Sequence, residues 1–404
     1  MYGRNRFFAR MSTAACSRLV DKRYHVPSPE PDWLAGRVQE ENTEREEAYI
    51  ERILEICERE KIDTVFPSYD PQVYVLSKNK ERLARQGILV PVPSFDTVRV
   101  PMDKYQTMLA AERCGFPHPR TFLPETEEDL RRIAATVPPP WVIRPRMTAG
   151  SRGMEIATTR DQLLTLLHRV RAEHFQPMVQ EYVPGNQKQN FYIVVDNAGE
   201  LVSFFCPRSL RCVHRLYRDS TQAAESSWQH EYQPQVERLV REVGYWGGLT
   251  VQTKIDARDN IPKLMEINPR LGTHLWYRTE LGVNEPWLLI EIAKGMKPPP
   301  VATKPESTLL LEPIEDFLGF GFELLDLLLY KYRRIFRGQL PVDAQNPPPT
   351  LGELSGILWR LYTSKQKKIY SPAFRYLLND PLPGLIVCHG VLKYSYKRVG
   401  SMGR

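Results

Sequence analysis

Apolar residues along the chain recur first with a helical period and then with an extended one. Behind Thr43 and Glu46, spaced as a capping box, Ile50, Ile53, Leu54 and Cys57 fall on one face, which predicts an amphipathic helix. The run Ile62 to Phe66 then predicts a buried strand, so the first hundred residues read as an α/β unit. A proline-bearing linker (Pro91, Pro93, Pro101) leads to Met102-Asp103-Lys104, and Tyr105 to Cys114 reads as a helix closed by Gly115. Trp141-Val142-Ile143 is a short apolar strand; a further strand starts at Glu155, and Thr159 with Gln162 opens a helix carrying Leu163, Leu166, Leu167 and Val170. Residues 120 to 175 are thus expected to form a small α/β subdomain able to move as a lid. Met178 to Val183, Asn190 to Asp196 and Leu201 to Cys206 read as strands, and Ile314 to Phe336 as a long helix.

Between these last elements lies a more informative pair. In Met265-Glu266-Ile267-Asn268-Pro269-Arg270 the alternation of a strand sends Glu266 and Asn268 to one face and Met265 and Ile267 to the core. Leu249 to Asp256 is a second strand, and folding about Ala257-Arg258-Asp259-Asn260 sets Gln252 opposite Glu266. One carboxylate and two amide oxygens suit Mg²⁺, a hard cation that shares its remaining positions with phosphates and water. Arg270 adds a planar fork matched to phosphate. A polar strand end is also what a solvated sheet edge looks like, so this pattern alone does not decide.

Composition narrows the class without naming it. With 404 residues, 42% hydrophobic and 25% charged, the chain has material for two or three domains. Six cysteines show no CxxC pair and no zinc or disulfide spacing, which fits a reducing, cytoplasmic setting. From Lys331 onward 13 Lys and Arg stand against 3 Asp and Glu, a net of +10, so the remainder of the +7 chain carries −3. That basic extension, with Tyr332, Phe336, Trp359, Tyr362, Tyr370 and Tyr376 interleaved, points to an anionic membrane surface or an acidic partner, and so to a peripheral location. No recognised nucleic-acid motif accompanies the charge, so no nucleic acid is expected. The expected organisation is an N-terminal α/β domain over 1–100, a central domain over 101–300 and a partly helical basic extension over 301–404. The first domain opens without a glycine-rich turn, as either a reduced or a truncated unit.

In order, Asp103-Lys104, the loop Arg144-Pro145-Arg146-Met147-Thr148-Ala149-Gly150-Ser151-Arg152-Gly153-Met154, Gln180-Glu181-Tyr182-Val183-Pro184-Gly185, Gln252 and Glu266 to Arg270 resemble the ATP-grasp superfamily. The likeness is to the carbamoyl-phosphate synthetase large chain and carboxylate–amine ligases. It implies an ATP-grasp fold with a reduced Rossmann-like domain in front. It further implies ATP with Mg²⁺ (or Mn²⁺) as cofactors, Lys104 and Arg144 on the phosphates, and the amides of Gly150, Ser151, Arg152 and Gly153 closing over them. Glu181, Tyr182 and Val183 would read the adenine. Gln252, Glu266 and Asn268 would hold the metal, and Arg270 and Arg144 would act in catalysis. The position at which the family commonly carries an acidic ribose ligand is Lys188. Arg208, Arg211 and Arg215 are candidates for an acceptor carboxylate. The implied activity is ADP-forming ligation of a small carboxylate to an amine through an acylphosphate. The alternative is a nucleotide-binding protein without turnover that carries a membrane-surface or acidic-partner tail. The sequence names neither substrate, and it leaves self-association open.

Overall fold

The computed structural model describes residues 17–18, 20–29, 40–148, 152–185, 187–213, 220–272, 275–302, 307–336 and 350–375. Contacts divide the chain into two units, His25–Cys206 with Trp228–Thr303, and Met1–Tyr24 with Pro207–Ser227 and Lys304–Arg404.

The larger unit opens with the helix Glu44–Glu60, whose Thr43 hydroxyl and Glu46 carboxylate form the expected capping box and which buries Ile50 and Cys57. Helices Asp70–Lys78 and Lys80–Arg85 follow. The expected strand at 62–66 is reduced to one parallel bridge, Thr64 to Leu89, and both Ile62 and Phe66 are exposed. A strand buries its alternate side chains only when a ladder on either side holds it, and a single bridge does not supply one.

Two sheets occupy the rest of this unit. The smaller has the order Thr121–Phe122, Met178–Glu181, Trp141–Arg144, Glu155–Ala157. With helices Glu127–Thr136 and Arg160–Glu173 it encloses a core of its own around Trp141, Ile143, Leu163 and Leu167. In the larger sheet Pro262–Asn268, Gly247–Ile255, Lys188–Val195 and Leu201–Phe205 pair antiparallel in that order. One face, with Phe191, Ile193, Val195, Leu249, Val251, Leu264 and Ile267, shares a core with residues of the helices Lys104–Cys114 and Gln233–Val243.

The pairing of the last two strands contains a bulge between Leu264 and Glu266. Leu264 and Ile267 therefore enter the core, whereas Met265, expected there, is only half-buried. The extra residue of a bulge is left out of the pairing, so its side chain loses the alternation that would have buried it.

In the second unit Arg208–Val213 pairs antiparallel with Ser220–Glu225, which pairs with Leu309–Leu311, itself parallel to Lys368–Tyr370. Helices Pro313–Phe336 and Leu351–Thr363 belong to this unit. Among the described residues no helix is long and apolar enough to cross a membrane.

Candidate active site

The hairpin of the larger sheet carries the polar row. Its register sets Glu266 opposite Gln252 and Asn268 opposite Thr250, as the strand alternation anticipated for the first pair. On the far side Gln252 pairs with Asn190 and Thr250 with Tyr192, so two polar rows cross three strands. Opposed residues share a face, and residues two apart repeat it, so all six positions belong to one face.

Lys104 and Arg144 reach this row from two other elements. Asp103 caps the Lys104–Cys114 helix by accepting from the Tyr105 N–H, and its carboxylate also receives the Arg146 guanidinium. The Lys104 N–H donates to the Arg146 carbonyl at 3.1 Å, and its Nζ donates to the Thr148 carbonyl at 2.6 Å. Three contacts thus fasten the helix start to the 144–148 loop. From the adjoining strand Arg144 donates through Nη2 to Glu266 Oε2 at 3.1 Å and through Nη1 to Gln180 Oε1 at 3.3 Å and the Met265 carbonyl at 3.2 Å. The bulge is what turns that carbonyl out of the ladder. Lys104 Nζ lies 3.7 Å from Glu266 Oε2, so one carboxylate balances two cations.

These charges set one another's protonation. Burial pushes the Glu266 carboxyl up, but Lys104, Arg144 and the Asn268 amide outweigh it, and the group sits below the ordinary carboxylate value. Burial pulls Lys104 below the usual lysine range, and Glu266 restores only part of it. Arg270 Nε donates to Asp70 Oδ1 at 3.0 Å, and Asp70, at the start of the Asp70–Lys78 helix, is itself buried. Gly272, just beyond, could not carry a Cβ without overlapping the Tyr192 ring and Thr250 Oγ1, which presses this turn against the second polar row.

The remaining expected residues are placed as follows. The Glu181 carboxylate is held by Arg120 and Arg258, and its N–H donates to the Arg120 carbonyl. The Val183 N–H, among the described residues, makes no hydrogen bond. Tyr182 lies under the Lys254 ammonium, and Lys188 pairs across the sheet with that same Lys254. Gly153 takes a left-handed φ of 69° at the end of its loop. Gly150, Ser151 and Arg215 lie outside the described residues. Arg208 and Arg211 belong to the second unit: Arg208 pairs with Glu225, and Arg211, buried, pairs with Asp316 and Glu323, so both charges are balanced within that unit.

Four residues escaped the sequence: Asp70, Arg146, Asn190 and Thr250. Asp70 before Pro71 is legible as an acidic residue in the first turn of a helix, but its partner Arg270 stands 200 residues on. Asn190 and Thr250 can be found only once the register is fixed.

The donor set fits Mg²⁺. Among the described residues no three His, Cys, Asp or Glu gather as a metal site. A single carboxylate with amide oxygens is instead what an ion keeping phosphates and water among its ligands requires.

Known proteins match in the same region. The family model described as carbamoyl-phosphate synthase L chain, ATP binding domain, matches residues 103–275, and the PylC-like N-terminal domain model matches 42–91. The arginine-specific carbamoyl phosphate synthase large chain of Bacillus subtilis is 23% identical over 228 residues, covering 54% of this chain and 21% of its own. The large chain of Thermomicrobium roseum is 26% identical over 197 residues, covering 47% and 18%. The chain thus spans about a fifth of the length of the curated relatives it matches. Among solved structures, biotin carboxylase from Campylobacter jejuni in complex with β,γ-ATP superposes with a TM-score of 0.54 at 19% identity, over 63% of this chain and 59% of that one. The biotin carboxylase domain of Hydrogenobacter thermophilus 2-oxoglutarate carboxylase, with MgADP, ADP and bicarbonate, gives 0.52 at 19%, over 64% and 59%.

Proposed function

The central segment of this chain is an ATP-grasp domain, and from that premise we propose that the protein is an ADP-forming carboxylate–amine ligase. The observation that carries the proposal is the convergence of Lys104 and Arg144 on Glu266, at the end of the row shared with Gln252 and with Asn268 two residues on.

Mg²⁺ held by Glu266, Asn268 and Gln252 would neutralise polyphosphate charge at this row. The protein's own groups do the rest. Lys104 and Arg144, with their pendant donors fixed by the Thr148 carbonyl and by Gln180, bind the phosphate oxygens from two sides. Arg270, oriented by Asp70, faces the charge that spreads over the transferred γ-phosphoryl group. A substrate carboxylate oxygen attacks the γ-phosphorus, the bond to the β-bridging oxygen breaks, and ADP leaves. An amine nitrogen then attacks the acyl carbon of the acylphosphate; phosphate leaves with the electron pair and the nitrogen gives up a proton. The small subdomain that bears Arg144 excludes water, which would otherwise hydrolyse that intermediate. At the nucleotide end, the Val183 N–H supplies a donor for the adenine, and Lys188 replaces an acidic group beside the ribose.

The test is isotopic. A panel of carboxylates and amines is screened for ADP release, and the active carboxylate is then labelled with ¹⁸O. One labelled oxygen must reach the released phosphate, with dependence on Mg²⁺ and on both substrates. Amide formed with unlabelled phosphate would overturn the acylphosphate route and the role given to Arg270.

A further inference from the structure

Asn190 and Thr250 each present a buried side-chain oxygen that, among the described residues, has no hydrogen-bond partner: Asn190 Oδ1 and Thr250 Oγ1. A buried acceptor without a donor is unfavourable, so two on one sheet face require an explanation. Their positions in the register supply it. Asn190 stands directly opposite Gln252 on one strand pair, and Thr250 directly opposite Asn268 on the other.

Gln252 and Asn268 are the two amides expected to ligate the cation, one in each polar row, and an amide has two unlike ends. If the carbonyl oxygen of each faces a cation, its NH₂ group must face an acceptor. The Gln252 side chain makes no hydrogen bond among the described residues, and Asn268 Nδ2 makes a long one, 3.4 Å, to Glu266 Oε1. Neither amide is therefore held in one sense by a good partner. Cβ atoms of opposed residues lie about 4.5–5.5 Å apart, which puts each NH₂ within rotamer reach of the oxygen across from it.

We propose that Asn190 and Thr250 are positioning residues that orient the two amide ligands, Asn190 accepting from the Gln252 NH₂ and Thr250 from the Asn268 NH₂. The carbonyl oxygens are thereby turned together toward the place of the cation beside Glu266. This inference rests on the ligase reading of the same row and adds residues to it. A neutral acceptor serves here where a carboxylate would add charge: Asn190 and Thr250 fix the amides and leave Glu266 as the only anion in the two rows. Partners behind metal ligands commonly alter affinity by about 10–100-fold when removed.

The experiment measures Mn²⁺ binding in the presence of ATP by the loss of the free-ion electron paramagnetic resonance signal, on full-length protein, with urea unfolding as a control for the fold. Asn190→Leu and Thr250→Val, which keep size and remove the acceptor, should each weaken Mn²⁺ binding about tenfold. ATP binding in EDTA and the urea midpoint should stay near wild type. Thr250→Ser, which keeps the neutral hydroxyl acceptor opposite Asn268, should retain affinity. In a Gln252→Ala background Asn190→Leu should have no further effect, and Thr250→Val should likewise have none in Asn268→Ala. Unchanged Mn²⁺ affinity in both single variants overturns the inference and leaves the ligase reading intact. Equal losses with and without Gln252 also overturn it, since Asn190 would then act by another route. A wild-type protein that binds neither ATP nor Mn²⁺ would overturn both readings together.

Discussion

Glu266→Gln separates the charge of the row from its shape. Glu266 lies 3.1 Å from Arg144 and 3.7 Å from Lys104, with the three side chains only 25%, 12% and 7% exposed. At an effective dielectric constant of about 20 these distances correspond to gross attractions of about 5 and about 4.5 kcal/mol. Removing their anion leaves Arg144 and Lys104 buried and uncompensated, a change that costs about 3–5 kcal/mol when a buried pair loses one partner. Urea unfolding without nucleotide should therefore show a lower midpoint at unchanged slope. The same unbalanced cations should bind ATP in EDTA at least tenfold more tightly, about 1.4 kcal/mol, while Mg²⁺-dependent turnover collapses. The pH dependence follows from the depressed carboxyl. Its contribution is present above the ordinary value of 4.5 and lost as pH falls through the lower folded value, so the gap between wild type and variant should close below pH 4.5. An unchanged urea midpoint together with unchanged metal-free ATP affinity would refute the assignment of Glu266 as the counter-ion of both cations.

Asp70→Asn removes the charge that orients Arg270; steady-state kinetics should show kcat falling about tenfold or more with a smaller change in the KM for ATP, because the guanidinium is needed most in the transition state. Burial, and next the charge of Glu315, push the Glu312 carboxyl up to about 8. Between pH 4.5 and 8 the unfolded chain ionises while the folded one holds its proton, so stability should fall with rising pH, and Glu312→Gln should flatten that slope in thermal melts. Ending the chain at residue 303 would remove Asp316 and Glu323 from Arg211 and the strand Leu309–Leu311 from Ser220–Glu225. Low soluble yield and rapid proteolysis within 207–227 should result, and a stable, monodisperse truncation would refute the structural role given to these contacts.

Several features followed from local sequence signals without help from distant parts of the chain. The capping box at Thr43 and Glu46 and the Gly115 cap both followed from near neighbours. The pairing of Gln252 with Glu266 was legible for the same reason: a short turn joins the two strands, and alternation then dictates the facing residues. Tertiary structure decided whatever depended on distant chain segments or on a break in alternation. No periodicity announces the bulge that lifts Met265 from the core and offers its carbonyl to Arg144, because the strand simply contains one residue more than its partner. The strand expected at 62–66 had the right residues but, among the described residues, only one bridging partner. Arg208 and Arg211, read from the sequence as candidates for an acceptor carboxylate, are paired by Glu225, Asp316 and Glu323, which segments elsewhere in the chain supply. Asn190 and Thr250 carry no motif at all; they matter because the third strand places Asn190 beside Gln252 and the hairpin places Thr250 beside Asn268, and that adjacency exists only in the folded sheet.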